Sequence, residues 1–234
     1  MNLHLVSRWA VILLIGCAGS SVLVAAQGVP QKEALEYRTI AAERGPTPVR
    51  LAILLPPGGG DRAMADAVVS YLGTGLAKAG WTVVVPYLPG KLAGNIGGHP
   101  DRVLATLAAV QAKPGMGTGP VPLLGVSNGG NAAVAIAASN PGRFSRLVLH
   151  PGVPGQNLGK GLEGLPVWLR IGKNDELGWA QAFPMAESGL LKAKAKLDAK
   201  LIPGGHSPPV DWNALLTFLG DPRVKTPAPV SAKP

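Results

Sequence analysis

Short aliphatic runs recur along this chain, each stopped by a turn signal and followed by a segment with helical spacing. VRLAILL (49–55) runs into PPGGGD, and WTVVVPY (81–87), VPLLGV (121–126), SRLVLH (145–150), PVWLRIG (166–172) and AKLIP (199–203) come after it. A run with no polar alternation suits a strand covered on both faces, the habit of parallel sheets. Between these runs, residues 62–80, 101–113, 128–140, 178–197 and 209–220 space their apolar residues as helices do, the first closing on Gly80 and the third stopped by Pro141. Alternation of this kind predicts an α/β sandwich, a mainly parallel sheet with helices on both faces. The longest irregular stretches, 88–100 and 151–165, are too short for a large lid, so an open, shallow site is expected.

The chain has 234 residues with only 5% aromatics, so one domain is expected, with a core of Val, Leu, Ile and Ala. Residues 27–48 are polar and read as a lead-in outside the core, 49–220 as the domain, and 221–234 (DPRVKTPAPVSAKP) as an extended, mobile tail. The formal charge of +9 is spread along the chain, with one cluster at Lys192, Lys194, Lys196 and Lys200. No aromatic residues interleave a basic stripe, so no nucleic-acid partner is expected, only a solvated helix face and a general attraction to anionic surfaces.

Residues 1–26 have the pattern of an export signal. Arg8 precedes the apolar run WAVILLIGCAGSSVLVAA, and Val24 and Ala26 are the small residues of a cleavage site. That predicts a periplasmic or extracellular protein. Two alternatives place it on a membrane: the run persists as an uncleaved anchor, or LIGC (14–17) is a lipobox and Cys17 carries lipid. Cys17 is the only cysteine, so cleavage after Ala26 leaves no disulfide, no cysteine metal site and no thiol nucleophile.

The run VPLLGV leads directly into SNGGNAAVAIAASN, so Ser127 falls between a strand and a small-residue helix. In a chain with 32 glycines, Gly-x-Ser-x-Gly carries little weight alone. Its position changes that, because a sharp strand-to-helix turn that exposes a serine needs neighbours without bulk, here Gly125, Gly129 and Gly130. The helix that follows also aims backbone N–H groups at a developing negative charge, with Asn128 supplying the first. A nucleophilic serine needs a base, and the base an orienting acid. Asp175 follows the run ending at 172 and His206 follows the run ending at 203, both at the strand ends where sites form in parallel sheets. Taken singly, Asp175 is a turn former and His206 a loop histidine; together they complete a serine–acid–histidine order. Glu176 is the alternative acid, and His99 and His150 either line the site or are structural.

With these residues in place, the chain resembles the α/β-hydrolases, in particular the small serine esterases of the phospholipase/carboxylesterase and dienelactone-hydrolase type. The resemblance spans Val49 to Gly220. It implies a triad of Ser127, His206 and Asp175 acting on carboxylic esters, small or polymeric, through an acyl-enzyme and without a cofactor or metal. The family's H-G-x-G-like loop falls on Pro57-Gly58-Gly59-Gly60-Asp61, which implies Gly59 as the second oxyanion donor beside Asn128. Pro57 stands where histidine is common, which leaves the register of that loop open by one residue. A peptidase, an acyltransferase or a non-catalytic binding protein with the same fold are the competing expectations.

Overall fold

The aliphatic runs form the interior of a seven-stranded sheet. The structure, a computed structural model, describes residues 33–46, 48–90 and 94–223. The expected export signal and nearly all of the expected tail lie outside these. In chain order the strands are β1 (Glu36–Ile40), β2 (Leu51–Leu55), β3 (Thr82–Tyr87), β4 (Val121–Gly125), β5 (Phe144–Leu149), β6 (Pro166–Gly172) and β7 (Lys196–Ile202). They lie side by side as β1-β3-β2-β4-β5-β6-β7. Only β1 runs antiparallel, against β3; the other pairs are parallel.

The helices are α1 (Arg62–Val68), α2 (Thr74–Lys78), α3 (Pro100–Gln111), α4 (Asn128–Ser139), α5 (Trp179–Lys192) and α6 (Trp212–Phe218). Successive strand residues point to opposite faces, so both layers of core come from the same strands. Leu51, Ile53 and Leu55 pack with Val103 and Leu107 of α3, Ile136 of α4 and Leu190 of α5. Ala52 and Leu54 pack with Ala65 of α1, Leu76 of α2 and Leu215 of α6. Each such fully buried leucine contributes about 2 kcal/mol of transfer free energy. Among the described residues no helix is long and apolar enough to cross a membrane.

Four expectations need correction. The lead-in is not outside the fold: β1 borders β3, and Leu35 is buried with its N–H donating to Thr106 Oγ1 at 2.9 Å. An edge strand is covered on one side only, so β1 lacks the aliphatic run that marks its neighbours. The segment 62–80 is not one regular helix, since a π-helical turn at Val69–Gly73 separates α1 from α2. There Thr74 Oγ1 donates to the Val69 carbonyl, and two nearby glycines weaken the ladder. The helix over 178–197 ends at Lys192, and β7 starts at Lys196, before the expected 199. Finally, Asp221 to Arg223 are held against the body. The buried Asp221 carboxylate accepts from Arg223 Nε and from the Arg223 backbone, and Arg50 lies 3.6 Å away. Burial works to raise this carboxyl, but the hydrogen bonds from Arg223 and the charge of Arg50 outweigh it and hold the group below its ordinary value.

Candidate active site

β4 ends at Gly125, and two residues later Ser127 turns the chain into α4 with φ 56° and ψ −124°. This left-handed backbone is unfavourable for serine and persists only where its surroundings enforce it. Here the Ser127 N–H donates to the Pro151 carbonyl at 2.9 Å, and the Ser127 carbonyl accepts from Gly130 and Asn131. The turn is tight enough that a Cβ at Gly125 would lie 2.2 Å from the Gly129 carbonyl oxygen. One at Gly129 would lie 2.4 Å from the Pro56 oxygen. No side chain fits at either position.

β6 and β7, neighbours in the sheet, supply the other two residues. The loops that follow them are zipped together, Lys173 N–H donating to Ile202 and Asn174 N–H to Gly204. Asp175 has a fully buried side chain whose Oδ1 accepts the Leu177 N–H at 2.9 Å. Its Oδ2 lies 2.9 Å from His206 Nδ1, and His206 Nε2 lies 2.9 Å from Ser127 Oγ. A carboxylate can only accept, so Nδ1 carries the proton and Nε2 is left as the acceptor for the serine hydroxyl. The arrangement is a continuous path along which a proton can leave the hydroxyl while the carboxylate stabilises the resulting imidazolium.

The Gly-rich loop after β2 sits beside this turn. Gly60 N–H closes it onto the Pro57 carbonyl at 3.0 Å, Gly58 has φ 56°, and Asn128 Nδ2 donates to the Gly58 carbonyl at 3.3 Å. Gly59 lies within this turn, next to the peptide that Asn128 holds. Asn128 is the first residue of α4, where a backbone N–H has no partner inside the helix.

Glu176 does not reach the histidine ring. Its Oε2 accepts the backbone N–H of His206 at 2.9 Å. Its own backbone N–H and that of His206 keep its carboxyl below the usual carboxylate range. His150 is buried under the site, 5.8 Å from the Tyr71 ring, and has no bond to the serine–histidine–aspartate set. Burial, helped by the nearby Arg170 charge, pushes its imidazole down to about 4, so it is neutral at physiological pH. His99 lies before α3, its carbonyl accepting from Arg102 and Val103. Sequence reading missed Trp179, whose ring meets that of His206 edge-on at 4.8 Å; no sequence signal links the two positions. Among the described residues, no group of three or more His, Cys, Asp or Glu is placed to hold a metal ion.

No protein-family model matches this sequence, and no curated protein does. Solved structures do match by shape. A carboxylesterase from Bacillus cereus aligns over 79% of this chain and 93% of its own, with 15% identity and a TM-score of 0.60. A carboxylesterase from Mesorhizobium loti aligns over 83% of this chain and 99% of its own, with 20% identity and a TM-score of 0.62. A phospholipase/carboxylesterase from Dyadobacter fermentans aligns over 80% and 97%, with 17% identity and a TM-score of 0.55. At such identities the likeness is one of fold, and the fold is that of the α/β-hydrolases.

Proposed function

We propose that this protein is an exported serine hydrolase that cleaves carboxylic esters through an acyl-enzyme. The observation that carries the reading is the unbroken chain from Ser127 Oγ through His206 to the buried Asp175, with 2.9 Å at each step. In this mechanism His206 Nε2 takes the Ser127 proton as Oγ attacks the ester carbonyl carbon. The backbone N–H groups of Asn128 and Gly59 bind the oxyanion, each contributing roughly 3 kcal/mol to the transition state. The tetrahedral intermediate collapses, His206 gives its proton to the leaving alcohol, and the acyl group stays on Oγ. Water, deprotonated by His206, then releases the acid and restores Ser127. No cofactor takes part in these steps.

The substrate is an ester, small or polymeric. Trp179 beside His206, and Leu177 at 61% exposed, suit an apolar alcohol on the side where it is protonated. Carboxylesterases among the structures of like fold favour ester over amide cleavage.

The test is fluorophosphonate labelling and p-nitrophenyl acetate hydrolysis by the purified protein, with Ser127→Ala beside it. Both activities are expected in the wild type and neither in the variant. Labelling without ester turnover would move the reading to a peptidase or acyltransferase. A folded protein that does neither would be a binding protein.

A further inference from the structure

Two carboxylates adjacent in sequence grip the same histidine from opposite ends. Asp175 holds ring Nδ1, while Glu176 Oε2 accepts the His206 main-chain N–H at 2.9 Å. We propose that Glu176 is a positioning residue for the proposed reaction, fixing the backbone of His206 so that its Nε2 stays within bonding distance of Ser127 Oγ. This inference rests on the functional reading above.

The His206 segment needs such a hold. Ser207 is followed by Pro208 and Pro209, which have no N–H to anchor them. On the N-terminal side the segment is tied at Gly204, whose carbonyl accepts from Asn174; on the C-terminal side Tyr71 Oη donates to the Pro208 carbonyl. Between these anchors, Glu176 is what restrains the peptide on which the imidazole is mounted. The local sequence makes room for it. A Cβ at Gly205 would lie 2.7 Å from Glu176 Oε2, so a side chain there would push the carboxylate off its acceptor position. A Cβ at Gly172 would lie 2.1 Å from the Gly205 carbonyl oxygen, so the two loops can press together only without side chains at these points. A rotation of the 205–206 peptide would swing the ring about the Asp175 bond and lengthen the Nε2–Oγ contact. The Ser127 turn and the Gly58–Gly60 loop follow other strands, β4 and β2, and would not move with it.

The experiment compares wild type, Glu176→Ala, Glu176→Gln and Gly205→Ala in fluorophosphonate labelling rate, ester kcat and KM, and exchange of the His206 amide proton. Glu176→Ala should slow labelling and lower kcat about 10- to 100-fold, as expected of a misplaced catalytic group. KM should stay within about two-fold. The amide should lose protection and the melting temperature should hold. Gly205→Ala should behave likewise. Glu176→Gln keeps a carbonyl acceptor without the charge and should recover most of the rate. Wild-type rates in Glu176→Ala would overturn the proposal, as would a Glu176→Gln variant as slow as the alanine. If the wild type labels but hydrolyses no ester, the ester reading fails while the labelling comparison still judges Glu176. If the wild type does not label, the functional reading fails and the positioning role falls with it, whatever the amide exchange shows.

Discussion

Ser127 sits in a backbone conformation that costs of order 1–3 kcal/mol for a non-glycine residue. The neighbouring glycines let the rest of the structure enforce it. Gly129→Ala would drive a methyl group against two backbone oxygens, those of Leu55 and Pro56, that have no rotamer to escape into. The expected result is a loss of about 3 kcal/mol in urea unfolding, or roughly 6–12 °C in melting temperature, with loss of probe labelling in the fraction that folds. An unchanged melting curve with normal labelling would show that the turn is looser than its geometry. At this scale the sequence was legible where a residue type has one physical use. Small residues around a serine between strand and helix mark a tight turn. Asp175 is the acid expected and Glu176 the alternative, but residue type alone does not separate them. Both are carboxylates in the same loop, and which one meets the imidazole depends on loop direction, which no residue type encodes.

Among the elements, buried strands announced themselves and the edge strand did not. β2, β3 and β4 are buried along their whole length and, Thr82 apart, consist of apolar residues. β1 (EYRTI) is largely exposed, and its hold comes from pairing with β3, from the Tyr87 hydroxyl donating to Glu36 and from Arg38 paired with Asp66. Its removal would turn β3, an apolar strand, into an open edge. A chain beginning at Ala41 is therefore expected to melt several degrees lower and to aggregate at concentrations where the full chain stays monodisperse. Calorimetry and light scattering would check this, and equal behaviour would mean that β1 is dispensable.

For the whole molecule, stability should respond to acid through a group outside the chemistry. His150 titrates near 6.5 when unfolded and at about 4 when folded, because burial disfavours its charged form. Between those values the unfolded chain binds more protons, so stability rises with pH. This contribution is complete above the unfolded value and is lost as pH falls toward the folded one. Going from pH 7 to 4.5 should cost the wild type about 2–3 kcal/mol more than His150→Leu, since other carboxylate effects are common to both. Urea unfolding at the two pH values is the check, and equal losses would show that His150 is already charged or exposed.

The sequence by itself determined the layered α/β architecture and singled out Ser127, Asp175 and His206 as candidates. Hydrophobic periodicity and turn chemistry are local, and so is the rule that a parallel strand ends at the site-bearing edge. What only the tertiary structure decided is pairing. The order of strands brings the β6 and β7 loops together, so that one carboxylate meets the ring of His206 and its neighbour meets the main chain. β1 folds onto β3, and Asp221 is caught between two arginines. Each depends on contacts between residues far apart in the chain, whose energies are set by distance and burial in the folded state.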